Sequence, residues 1–247
     1  MSLNWGWALI LAGLVASLSQ SSIGIGGGLL VMPLLSWWFP PQEVVVYSIP
    51  MFFTSTLVNF WRYRRSVRWR QAGAAVPGIM AGAVVGSELL RVESAGVLRA
   101  IIAMVALLFT GYEVSRMLKK HPLLSLGRWG MLSVSLISGV ASAMTNIGGT
   151  ILSFALMGQD LDPALFVGTL NALMLAMSVM KIVLFSGLGL LTIHRWAIAL
   201  PSVPAIIAGS WMGQRLNRRL SGELFRWILV GVISVSAGVL LIVPVMR

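Results

Sequence analysis

Runs of about twenty apolar residues, repeated along the whole chain, constrain this sequence more than any other feature. They lie at roughly Leu3 to Trp38, Glu43 to Trp61, Trp69 to Leu90, Ala95 to Val114, Gly130 to Met157, Pro163 to Phe185, Trp196 to Met212 and Leu224 to Val245. Six of these match the ~20 residues that one helix needs to cross a bilayer core. Only 10% of the 247 residues are charged, against about a quarter in a soluble domain, so many apolar side chains must face lipid. The expected fold is an all-α, polytopic membrane bundle. The N-terminal run has no basic flank, its first ionisable side chain being Glu43, which argues against a cleaved signal peptide.

The first and fifth runs are longer, and glycine breaks both: Gly24-Ile25-Gly26-Gly27-Gly28 in one and Asn146-Ile147-Gly148-Gly149-Thr150 in the other. These breaks expose an internal repeat. Adding 121 carries Gly27-Gly28 onto Gly148-Gly149, and adding 122 carries Pro41 onto Pro163. Adding 127 carries Trp69, Pro77, Gly82, Gly86 and Arg91 onto Trp196, Pro204, Gly209, Gly213 and Arg218. The chain therefore divides into a first transmembrane repeat, residues 1–120, and a second, residues 121–247.

Loop charge orients the halves. Arg62, Arg64, Arg65, Arg68 and Arg70 crowd one loop of the first repeat, whereas the equivalent loop of the second has only Lys181, His194 and Arg195. The next loop reverses the bias, with Arg215, Arg218, Arg219 and Arg226 in the second repeat. Basic loops stay on the cytoplasmic side, so the repeats are expected to be inverted. Inversion needs an odd number of crossings per repeat. A glycine-broken segment folded as a hairpin, entering and leaving on one side, supplies it. The net charge of +11 is then a topological signal and no sign of nucleic-acid binding.

The two breaks are also the strongest candidate site. Unpaired backbone amides are excluded from lipid and tolerated beside protein or a water-filled cavity. A half-helix beginning after the break aims N–H groups and a partial positive charge at whatever sits there. Gly26, Gly27, Gly28, Gly148, Gly149 and Thr150 would offer backbone donors to a small anion, and Ser21, Ser22, Thr145, Asn146 and Asn171 would shape the site. The plain alternative is that the glycines only permit close helix packing; their occurrence among polar residues at equivalent repeat positions favours binding. Among other intramembrane polar groups, Asn171 stands out because an amide is hard to satisfy on its own helix, whereas hydroxyls often bond their own backbone. Lys181, at the position matching Asn59, is expected to snorkel to the interface. Trp37, Trp38, Trp61, Trp69, Trp129 and Trp196 are expected in the interfacial belts, and Gly111 and Gly238 at packing positions.

No cysteine is present, both histidines fall in loops, and Glu43, Glu88, Glu93, Asp160 and Asp162 lie near segment ends. No metal site, cofactor or catalytic residue is expected. The glycine string follows no strand, which removes a dinucleotide loop.

On Gly24 to Gly28 followed by Pro33, the Arg-rich loop leading into Trp69, Pro77-Gly78 with Gly82 and Gly86, and the echo at Asn146 to Gly149, the chain resembles the TauE/SafE sulfite exporter family of membrane permeases. That resemblance implies a transporter of small sulfur-containing anions (sulfite, thiosulfate or organosulfonates), with some relatives linked to other organic acids. It places the chain in the bacterial cytoplasmic membrane. An anion channel is the alternative, and an intramembrane enzyme ranks last. The expected partners are a small anionic substrate and the lipid bilayer; oligomeric state is left open.

Overall fold

The computed structural model describes residues 2–23, 27–119, 127–159 and 161–219, with positions 231 and 234. Among these residues every regular element is helical. In chain order they are α1 (Ser2–Ile23), α2 (Gly28–Leu35), α3 (Pro41–Tyr47), α4 (Ile49–Tyr63), α5 (Trp69–Val92), α6 (Ala95–Lys119), α7 (Arg128–Thr145), α8 (Gly148–Met157), α9 (Pro163–Gly187), α10 (Ile193–Ala199) and α11 (Ser202–Arg219). The apolar run beginning at Leu224 lies outside the described residues. The chain is a multi-pass membrane protein. α5 and α9 are each long and apolar enough to cross alone, and α3 with α4 and α10 with α11 form two bent pairs of sufficient length.

Proline and asparagine punctuate these helices in predictable places. Pro41 and Pro163 open α3 and α9, where a missing N–H costs nothing. Asn146 ends α7 with φ 56°, the left-handed cap that asparagine tolerates better than other residues with a side chain. The bends are a correction to two runs read as straight crossings. α3 turns into α4 by 43° at Ser48, and α10 into α11 by 48° near Pro201. At the first bend Pro50 cannot donate its amide, and the Ser48 hydroxyl bonds back to the Val44 carbonyl at 2.6 Å.

Both glycine-broken segments fold as hairpins. In the first, α2 returns towards the end where α1 began, so Trp5 stacks on Phe39 and Tyr47 with ring centroids 3.9 and 4.4 Å apart. In the second, Arg128 at the start of α7 and Gln159 just after α8 line the same cavity.

Small residues then let helices meet backbone to backbone. Along α5, Gly78 faces Leu132 and Ser135, Gly82 faces Leu136 and Gly139, and Gly86 faces Val140 and Ala143. The numbers climb together, so α5 and α7 run parallel. α1 and α11 do the same, with Gly13 against Ile206, Gly209 against Leu14 and Ser17, and Gly213 against Leu18. A Cβ at Gly82 would overlap the Leu136 carbonyl oxygen. At the repeat-equivalent Gly209 it would overlap the Ser17 hydroxyl and crowd the Leu14 carbonyl. Gly111 has nothing within 4 Å among the described residues, and Gly238 lies outside them. α4 and α9 cross antiparallel, with Gly168 of α9 beside Tyr63 and Ser66 and the Lys181 end of α9 beside Phe52 and Thr56.

Candidate anion site between the two helix breaks

The two breaks touch. Gly28, the first residue of α2, lies so close to Asn146 that a Cβ there would run into the Asn146 carbonyl. The N-termini of α2 and α8 thus reach one region, and the first amides of each helix have no carbonyl within their own helix to bond. Beside them lies a cavity of about 20 Å³, lined by Thr56, Ser142, Ser178, Lys181, Met174 and Met177 as well as Gly28, Asn146, Phe52 and Gly149. A volume of that order holds about one water molecule.

Lys181 is the residue that sequence reasoning misplaced. It does not snorkel: it is 3% exposed, and its ammonium donates to the Asn146 side-chain carbonyl and to the Ser142 backbone carbonyl at 3.4 Å. The physical reason is the break itself. α7 stops in mid-protein, so its last carbonyls and negative dipole end draw a cation inward, where an unbroken helix would offer none. An ammonium has three donors, and two acceptors are in reach. No Asp or Glu lines the cavity or is buried among the described residues. A buried ammonium without a carboxylate is costly, and an anion in the cavity would offset that cost. The signal available in the sequence was an ionisable residue inside an apolar run, a functional pointer by default.

Asn146 holds the cluster together. Its amide nitrogen donates to the Val45 carbonyl at 3.1 Å and the Ser48 hydroxyl at 2.9 Å, and its oxygen accepts from Lys181. One side chain therefore ties the break of the second hairpin to the α3–α4 bend. All its ordinary bonds are spent on protein, so it positions Lys181 and leaves no donor for a ligand in this conformation.

The remaining predicted positions divide. Gly28, Asn146 and Gly149 line the cavity. Ser21, Ser22 and Thr145 spend their hydroxyls on the carbonyls of Ser17, Ser19 and Ala141, within α1 and α7. Gly27 packs against Ala16, and Gly148 against Ser138 and Ser142. The Thr150 hydroxyl is buried with no partner. Asn171 bonds its own helix through the Val167 carbonyl at 2.9 Å, the arrangement thought hard for an amide, while its Oδ1 is buried without a partner. Asn171 sits ten residues before Lys181, about 15 Å along α9, and does not line the cavity. Gly26 lies outside the described residues.

A family description, Sulfite exporter TauE/SafE, matches residues 9–240. The chain belongs to this family. It is a family of membrane transporters for anions, which is consistent with a cation and two helix N-termini gathered inside the membrane. No curated protein and no solved structure matches the chain.

Proposed function

We propose that this TauE/SafE member is a secondary transporter that carries a small sulfur-containing or organic anion across the cytoplasmic membrane by alternating access. The observation that carries the proposal is the meeting of the two breaks, Gly28 against Asn146, around a cavity whose one cation has no carboxylate partner among the described residues. Lys181 supplies the charge, the first amides of α2 and α8 supply directed donors, and Ser178 supplies a hydroxyl, whereas the Thr56 hydroxyl is spent on the Phe52 carbonyl at 2.8 Å. A neutral or cationic solute would find little to bind here.

A cavity of about 20 Å³ is too small for a sulfonate or sulfite, so the walls must part for the ligand to bind. The halves 1–120 and 121–247, taken as inverted repeats, provide the moving parts. This is supported by hairpins with opposite directions and by parallel pairs α1–α11 and α5–α7 that the repeat exchanges. A cavity of this size leaves no continuous pore for the anion at this point, which favours a carrier over a channel. The test is uptake of radiolabelled sulfite, thiosulfate and a short organosulfonate into proteoliposomes holding the purified protein. Saturable uptake of at least one, lost in Lys181→Met, is expected. Unsaturable flux with single-channel conductance would replace the carrier with a channel.

A further inference from the structure

A second cavity, of about 900 Å³, lies where α5 and α7 begin, and Arg68, Arg70 and Arg128 line it with Gln71 and Gln159. We propose that this basic cavity binds the phosphate headgroup of an anionic phospholipid of the leaflet on the Arg-rich side of the membrane.

Four observations carry the proposal. The cavity is far larger than a small inorganic anion needs. Its three arginines are exposed, and none makes an ion pair among the described residues, where the single pair is Arg91 with Glu88. α5 and α7, 24 and 18 residues long and parallel, add the positive ends of their dipoles at the same level. Finally, each helix starts with an arginine followed by an outward tryptophan, Arg68-Trp69 and Arg128-Trp129, with the tryptophans 63% and 79% exposed. Exposed tryptophans in a membrane protein mark headgroup depth, so the arginines stand where lipid phosphates lie.

The opposite face is an internal control. The repeat carries Trp129 back to Trp7 and Trp69 on to Trp196. Trp7 is preceded by Gly6, which has no charge. Arg195, preceding Trp196, is already engaged, donating to the Leu190 carbonyl and lying 5.1 Å from the Tyr47 ring centre. The aromatic scaffold occurs on both faces, and among the described residues the arginines that line a cavity without an ion pair occur on one.

Native mass spectrometry of the full-length protein tests this with phosphatidylglycerol, phosphatidylcholine and inorganic phosphate as probes. The wild type should hold phosphatidylglycerol at least tenfold more tightly than phosphatidylcholine. The triple variant R68Q/R70Q/R128Q should lose roughly ten- to a hundred-fold in phosphatidylglycerol binding and none in phosphatidylcholine binding. R91Q, on an arginine that already has a partner, should change neither. A melting curve for each variant confirms that it is folded, since the three side chains are exposed. An unchanged lipid preference in the triple variant overturns the proposal. So does displacement of phosphatidylglycerol by millimolar phosphate, which would make the cavity a soluble-anion vestibule.

Discussion

The bundle buries two polar clusters built on matching sequence positions, and the two differ in charge. Adding 122 carries Gln20 onto Ser142 and Asn59 onto Lys181. Around Gln20 and Asn59, the Gln20 carbonyl accepts from Ser55 at 2.6 Å and Asn59 at 3.4 Å, and Ser210 of α11 donates to Asn59 at 2.9 Å. These groups are neutral and satisfy one another, as buried polar groups must. In the second half an ammonium replaces the Asn59 amide, and its partners are carbonyl oxygens without formal charge. A neutral network closes on itself and rigidifies the bundle. A cation held by dipoles alone remains receptive to an anion. Positions matched in sequence thus carry different chemistry.

The largest break in that comparison comes from removing the charge. Lys181→Met should weaken anion binding by at least about a hundred-fold, the scale of one charge-assisted hydrogen bond plus a long-range charge. Asn59→Leu should leave binding within about threefold and act on stability, costing about 1–3 kcal/mol, chiefly through the Ser210 hydroxyl left without its acceptor. Calorimetric titration and melting curves on both variants check the contrast. Equal binding losses would mean the clusters share one role.

Asn146→Ala is next in size, with an expected loss of roughly ten- to a hundred-fold. The structure changes what this test reads. Since Asn146 spends its donors on Val45 and Ser48, it acts by holding Lys181, and the loss should be the same for the native anion and for an analogue lacking one oxygen. A loss confined to the native anion would show that Asn146 touches the ligand directly in another conformation.

The legible and illegible parts of the sequence separate along the same line. The helical fold and the glycine-broken segments could be read because each depends on local patterns: apolar length and glycine runs. The bend at Ser48 was harder, since Ser48 and Pro50 lie inside a run whose hydropathy never falters. Lys181 was misread because snorkelling is argued from distance to a helix end. What decides its place is the end of another helix, α7, which no linear distance reveals. Ser21, Ser22 and Thr145 look like ligands in a list of polar residues, yet each hydroxyl has a backbone carbonyl one turn away.

The scaffold should respond alike in both halves, with a smaller effect than the site. Gly82→Ala and Gly209→Ala each force a methyl into a neighbouring helix, Gly82 into α7 and Gly209 into α1, and each should lower stability by about 1–3 kcal/mol. Gly111→Ala, with no described neighbour within 4 Å, should stay within about 0.5 kcal/mol of the wild type. Thermal melts in one detergent give all three values. If Gly82→Ala were costly and Gly209→Ala neutral, the two parallel pairs would not be equivalent supports.

The smallest expected effect falls on Asn171, and it separates a buried polar residue from a binding residue. Among the described residues its Oδ1 has no partner, and its Nδ2 bonds the helix that carries it. An unpaired buried carbonyl oxygen costs about 1–3 kcal/mol, most of which a leucine of similar volume would recover, less the loss of the Val167 bond. Asn171→Leu should therefore bind the anion within about twofold of the wild type and melt at the same temperature or slightly above. The comparison is with Asn146, also an asparagine and also buried, but tied to Lys181 and to the α3–α4 bend. Two asparagines with similar burial would then differ by an order of magnitude or more in their effect on binding. A tenfold loss in Asn171→Leu would show that the unpaired oxygen meets the ligand or its water elsewhere on the transport path. The route would then run some 15 Å along α9, towards the Arg-rich end, before reaching Lys181.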